Sequence, residues 1–153
     1  MDRPPRLILA TLAAGLLASG DAQAALGDAA DSETAQRFDL ATRRSTAVVG
    51  GHYWVRETVS DSTTVREYVS ASGIVFGIAW EGLTHPDLTS LLGAYASEYH
   101  AAVQGIPHTP GRRWHQVKTN RLVVEQWGHM RHLQGRAYVP LLVSPGVSVD
   151  EIK

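Results

Sequence analysis

The sequence predicts an α+β domain: an antiparallel sheet of about five strands with one main amphipathic helix packed across it. Three observations carry this reading. From His52 onward, apolar and polar residues alternate with a period of two. One later stretch, Thr84–Val103, has its apolar residues at helical spacing instead. After a break rich in proline and glycine, "GIPHTPGRR", the strand pattern returns. The expected order is a weak helix, three strands, the strong helix and two strands, which is an α+β arrangement.

The chain opens with a leader pattern. Arg3 and Arg6 form a short basic region, and "LILATLAAGLLASG" is an uncharged apolar run of 14 residues. Ala22 and Ala24 then stand in the A-x-A pattern of a secretory cleavage site. The run is short of the roughly 20 residues that span a bilayer. Residues 1–24 are therefore expected to be a signal peptide cut between Ala24 and Ala25, leaving 25–153 as one domain with no membrane span. In a Gram-negative cell that product is periplasmic or secreted. The chain has no cysteine, so it has no disulfide framework and no thiolate metal site.

Residues 25–34, "ALGDAADSET", are small and polar and read as a loose N-terminal lead. "SETAQRFDLATRR" has a weak helical pattern with Ser32 as its cap. In "HYWVRETV", Tyr53, Val55 and Val59 fall on one face. In "TVREYVS", Val65 and Val69 oppose Arg66 and Tyr68. The link Ser70-Ala71-Ser72-Gly73 suits a tight turn with glycine in the left-handed position. "IVFGIAW" places Ile74, Phe76, Ile78 and Trp80 on one face and Val75, Gly77 and Ala79 on the other, so both faces of this strand should be covered. Gly77 marks a bulge or the close approach of another backbone.

The strong helix is expected to be capped by Thr84, with Pro86 in its first turn and Asp87 three residues after the cap. Its stripe is Leu88, Leu91, Leu92, Tyr95, Tyr99, Ala102 and Val103. "RLVVEQW" and "HMRHLQGRAYV" are the last two strands. "PLLVSPGVSVDEIK" is an extended tail pinned by Val147 and Ile152.

Charge is unevenly distributed. Residues 25–103 hold five arginines and ten acids, a net of −5, and residues 104–153 hold seven bases and three acids, a net of +4. Between Arg112 and Arg136 the bases are Arg112, Arg113, Lys118, Arg121, Arg131 and Arg136, with Glu125 the single acid and His115, His129 and His132 among them. A solvated strand face explains such a cluster. So does a surface that attracts an anionic partner.

The quoted motifs together resemble domain-of-unknown-function family 2844, small exported proteins of proteobacteria. They are "ALG" after the cleavage site, "VREYVSASGIVFGIAWEG", "PDLTSLLGAY", "GHMR", "GRAYVP" and "PGVSVDEI". The resemblance implies export and one compact domain, and it implies no activity. The sequence departs from the family pattern at Gln126-Trp127 and at His132, where smaller residues are expected.

No motif assigns chemistry. His129 and His132 sit at i and i+3 in what reads as a continuous strand, where they would point to opposite faces, so no metal site is expected. "VSASG" lacks the first glycine of a nucleophile elbow, and a strand follows where a helix is required. No phosphate loop, dinucleotide fingerprint or cofactor motif occurs. The candidate binding or buried polar cluster is Arg66, Glu67, Tyr68, Trp80, His129, Arg131, Arg136 and Tyr138. Arg66 and Tyr68 share a strand face, and Glu67 lies opposite, beside Val65 and Val69. A carboxylate there requires a partner, and Arg131 or Arg136 from the later strands is the natural one. The expected function is a non-catalytic binding or structural module of the bacterial cell envelope. Its partner would be an envelope protein or an anionic envelope component, not a nucleic acid. The alternative is a small exported enzyme with a His/Arg/Glu/Tyr pocket, which requires Glu67 and His129 to meet.

Overall fold

The computed structural model describes residues 25–30, 43–49, 52–106 and 114–153. Seven strands form one antiparallel sheet: β1 (Arg43–Val49), β2 (Tyr53–Val59), β3 (Thr63–Ser70), β4 (Val75–Gly82), β5 (Trp114–Lys118), β6 (Val123–His129) and β7 (His132–Tyr138). Their spatial order is β1-β2-β3-β4-β7-β6-β5. The α+β class holds, with two more strands than the five expected, and both additions are sheet edges. The weak helix expected over residues 32–44 falls outside the described residues, except that Arg43 and Arg44 open β1.

The helical segment is broken into α1 (Leu88–Leu92), a 3-10 turn (Gly93–Tyr95) and α2 (Ala96–Gln104). Its cap is Asp87, not Thr84. The Asp87 carboxylate accepts the backbone N–H groups of Thr89 and Ser90, two of the donors that a helix start leaves unpaired. Thr84 instead joins the β2–β3 loop, with its carbonyl accepting the Thr63 hydroxyl at 3.0 Å. The predicted stripe faces the sheet. Leu91, Leu92, Ala96 and Tyr99 pack with Val65, Val69, Val75, Ile78, Trp80, Val117, Val124 and Ala137 in one core.

A second core lies on the opposite face, where Tyr53, Tyr68, Phe76, Ala79 and Ile152 cluster. Phe76 is there because the β3–β4 register slips. Tyr68 pairs with Gly77 and Val69 with Val75, so Phe76 is the extra residue of a bulge. The strict alternation expected for "IVFGIAW" therefore breaks at one position. Val75, Ile78 and Trp80 face the helix, while Phe76 and Ala79 face the other way.

The tail, Val139–Lys153, covers this second core. It is not extended. A 3-10 turn at Val149–Glu151 is closed by a capping box, with Ser148 and Glu151 each accepting a backbone N–H of the other. Ile152 is fully buried, as the sequence suggested. A methyl group built on Gly77 would lie 2.9 Å from Ile152 Cδ1, so the glycine makes room for the tail. Gly135 plays the same part on the helix face, where the Trp80 indole occupies the space of its missing side chain.

The segment Ala25–Ala30, expected to be loose, is built into the fold. Leu26 is 0% exposed. Its N–H donates to the Leu91 carbonyl at 2.9 Å, Gly27 N–H donates to Val75 at 2.8 Å, and Ala30 N–H donates to Gly73 at 2.8 Å. Small polar residues concealed this segment because its burial depends on long-range contacts, not on periodicity.

Leu26→Ala should lower unfolding free energy by about 2–5 kcal/mol, the usual range for a fully buried leucine. Gly135→Ala should cost about 1–3 kcal/mol through overpacking against Trp80. Urea denaturation followed by tryptophan fluorescence measures both, and an unchanged midpoint for Leu26→Ala would contradict the docked segment.

Candidate functional site

The eight candidate residues divide between the two faces and one end of the sheet. Glu67 and Trp80 face the helix. Arg66, Tyr68, Arg136 and Tyr138 face the tail. His129 and Arg131 stand at the exposed β6–β7 end. Glu67 and His129 are three strand spacings and five residues apart, on the order of 20 Å. The pair that acid–base catalysis would need is not brought together.

Glu67 is 4% exposed and pairs with Arg56, its directly opposite neighbour on β2. Arg56 also donates to the Ala30 carbonyl at 2.9 Å, which ties the N-terminal segment to the sheet. The expected partners Arg131 and Arg136 are elsewhere, because Arg136 faces the tail and Arg131 sits in a turn. Trp80 is a core side chain whose Nε1–H donates to His85 Nδ1 at 3.3 Å. Burial lowers the His85 pKa, in keeping with an imidazole that accepts this proton.

The tail face is a ladder of paired polar groups. Arg66 donates to Glu57 and Glu81, each at 2.8 Å. Arg136 donates to Glu125 at 2.5 Å and to the Val149 carbonyl at 2.8 Å. Tyr68 donates its hydroxyl proton to the Lys153 carbonyl at 2.7 Å and accepts the Lys153 N–H at 3.0 Å. Tyr53 donates to Glu151 at 2.7 Å. These groups are occupied with holding the tail.

The tail's hydrogen bonds run to β2, β3, β4 and β7. The same face continues beyond them onto β6 and β5. Trp114 lies directly opposite Trp127 there, and it is 49% exposed. Trp127 Nε1–H donates to Gln134 Oε1 at 2.7 Å, which fixes the indole. Gln116 donates to Glu125 at 2.8 Å, so that carboxylate serves both Gln116 and Arg136. Lys118 follows on the same face, exposed. Sequence reasoning missed Trp114 and Gln116, and named Lys118 only as one of the basic cluster, because a five-residue edge strand with one buried side chain, Val117, leaves almost no periodic signal.

His129 and His132 also differ from expectation. The chain reverses between them through Met130 and Arg131, so they are cross-strand partners with ring centroids 6.1 Å apart. Arg131 takes φ of +68°, a left-handed conformation that costs a non-glycine residue about 1 kcal/mol. Met130 at the apex is 91% exposed. Beside this hairpin a cleft of about 260 Å³ is lined by Ser62, Thr64, Glu81, Arg131 and His132, among others. Among the described residues, no group of three or more His, Asp or Glu side chains is placed to hold a metal ion. Arg112 and Arg113 of the basic run lie outside the described residues.

A family model described as "protein of unknown function (DUF2844)" matches residues 22–152. The chain belongs to this family. Comparison with curated proteins and with solved structures gave no match. The DUF2844 match spans the docked Ala25–Ala30 segment, the sheet, the helix and the tail through Ile152.

The tail contact of this DUF2844 protein is linked to pH at both extremes. The Ser148 backbone N–H, followed by the Tyr53 hydroxyl, holds the Glu151 carboxyl below its ordinary value. Stability from a depressed carboxyl is present above the ordinary 4.5 and is lost as pH falls through the lower folded value. Burial, followed by Glu151, pushes the Tyr53 hydroxyl up to about 12. Its contribution is complete below pH 10 and is lost as pH rises toward 12. Asp87, held down chiefly by the Ser90 hydroxyl, and Glu98, held down chiefly by Thr119, add to the acid loss. The urea midpoint should therefore fall between pH 5 and pH 3, and fall less steeply in Tyr53→Phe. Identical slopes would remove Tyr53–Glu151 as a determinant of acid stability.

Proposed function

We propose that this protein is an exported, non-catalytic binding module of the bacterial cell envelope, and that its β5–β6–β7 surface takes an anionic envelope component. Export rests on the leader pattern of residues 1–24, with its A-x-A site at Ala22–Ala24.

One observation carries the binding reading: exposed Trp114 and half-buried Trp127 form a cross-strand pair between Lys118 and the His129–Arg131–His132 end of the hairpin. Elsewhere, cations of the basic region have acids of their own. Arg121 pairs with Glu98 and Arg136 with Glu125. Lys118 and Arg131 make no ion pair among the described residues. Their field is available to a partner, and aromatic area beside them supplies contact that charge alone does not.

Isothermal titration with a flexible polyanion at about 20 mM and 500 mM salt tests this. Affinity should drop at least tenfold at high salt, since the Debye length shrinks from tens of ångströms to a few. Lys118→Glu with Arg131→Glu should abolish binding at low salt while leaving the melting temperature near that of the parent. Binding indifferent to salt and to both substitutions would reject the electrostatic surface. Mass spectrometry of the periplasmic product tests export separately, with Ala25 expected as the first residue.

A further inference from the structure

The same surface has features that a plain charged patch does not need. Trp114 and Trp127 are cross-strand neighbours, so their Cβ atoms stand about 5 Å apart. Trp127 is held by Gln134, leaving its ring a fixed member of the surface. Arg136 lies 6.0 Å from the Trp127 ring centroid and 6.0 Å from that of Tyr138, so the aromatic area extends under a guanidinium. Around the indoles the hydrogen-bonding groups are amides, Gln116 and Gln134; the Glu125 carboxylate is buried, and the exposed Asp150 carboxylate stands 3.8 Å from Arg136 at the tail side of the strip.

Flat apolar rings bordered by amides suit a ligand with an apolar C–H face and a rim of hydroxyl groups. A sugar ring has this form, and indole and amide are complementary to its two aspects. Cations at the margins add a further requirement. Lys118 marks one end of the strip and Arg131 the other, with β6 running six residues between the corresponding ends, about 20 Å. A single small anion would not reach both. A chain with carboxylates recurring along its length would. The Arg131 end also borders the cleft of about 260 Å³, whose serine and threonine hydroxyls stand beside the Asp61 and Glu81 carboxylates, so the acidic chain is expected to end at Arg131 and not to continue into it.

We infer that the β5–β6–β7 face binds an acidic polysaccharide, with sugar rings stacked on Trp114 and Trp127 and uronate-type carboxylates taken by Lys118 and Arg131. This deepens the anionic-partner reading and rests on it. Arg136 is not a carboxylate receptor here, because Glu125 already holds it. It acts as a support for the Trp127 ring. The face is used, not the β5 edge, because the edge strand has only five residues and ends on Lys118, features that discourage strand addition.

The test is titration of the folded protein with four probes: an oligouronate, a neutral glucan oligomer of similar length, polyglutamate and oligothymidylate. The oligouronate should bind at least tenfold more tightly than the other three. Trp114→Ala should weaken the oligouronate at least tenfold and change the residual polyglutamate affinity less than twofold. The exposed position of Trp114 makes this a safe substitution for folding, and circular dichroism melts check it. Lys118→Glu should weaken the oligouronate while the neutral glucan responds less than twofold. Equal affinity for polyglutamate, with no effect of Trp114→Ala, would overturn the polysaccharide assignment and keep the anionic surface. Preference for oligothymidylate would overturn it in favour of a stacking surface for nucleic acid bases. Absence of binding to all four would remove both readings.

Discussion

The register slip between β3 and β4 is the constraint on which the rest of the structure depends. Because Phe76 is the extra residue, Val75 and Phe76 face opposite cores instead of following the alternation of Ile78 and Trp80. Val75, Phe76 and the adjoining Gly77 are also where distant parts of the chain attach. Gly27 N–H binds the Val75 carbonyl, Val75 N–H binds the Asp28 carbonyl, Val139 N–H binds the Phe76 carbonyl, and Gly77 admits Ile152. A strand without the bulge would shift Phe76 to the helix side, leaving Tyr53 and Tyr68 without their aromatic neighbour. One slip thus lets a central strand face a helix on one side and a tail on the other.

The two faces are held by different forces. On the helix side, burial dominates; Arg121 with Glu98 is an exposed ion pair at the rim, and Arg56 with Glu67 is the buried one. Desolvation offsets much of the attraction in such a pair, so its value lies in fixing β2 against β3 and catching the Ala30 carbonyl. On the tail side, Arg66 with Glu57 and Glu81 is part-exposed and worth at most about 1 kcal/mol per pair. What holds the tail is geometry: two tyrosine hydroxyls, the Arg136 guanidinium and a glycine-sized opening converge on four residues, Val149, Glu151, Ile152 and Lys153.

The sequence made the interior legible and left the margins obscure, for a physical reason. Strong alternation in β2 and β3, the alternation of β4 from Gly77 onward and a clear stripe in Leu88–Val103 reflect residues buried by local periodicity, whereas the faces of Val75 and Phe76 are reversed by the bulge. β1 begins Arg43-Arg44, and β5 buries only Val117, so neither edge strand shows a two-sided pattern. Ala25–Ala30 was misread because alanine and glycine lack the bulk that signals a core, and Leu26 alone does not make a period. The oddity of Glu67 was visible in its position between Val65 and Val69. Its partner was not, since naming Arg56 requires the β2–β3 register. The hairpin at Met130-Arg131 was invisible for a similar reason, as a left-handed arginine is not a turn signal.

The charge asymmetry shows how far composition can lead and where pairing must take over. Counting bases between Arg112 and Arg136 treats all of them alike. The fold separates them. Arg121 and Arg136 are bound to acids and to aromatic rings, Arg121 over Tyr95 and Arg136 over Trp127 and Tyr138, so they are structural cations. Lys118 and Arg131 have neither kind of partner among the described residues, and they stand at opposite ends of a strip whose centre is two tryptophans. In the proposed binding, electrostatic attraction over that strip would be directed by its ends and anchored by its middle. A partner that satisfies both must carry charge in a repeat and apolar surface between the charges, which is a narrower demand than being anionic.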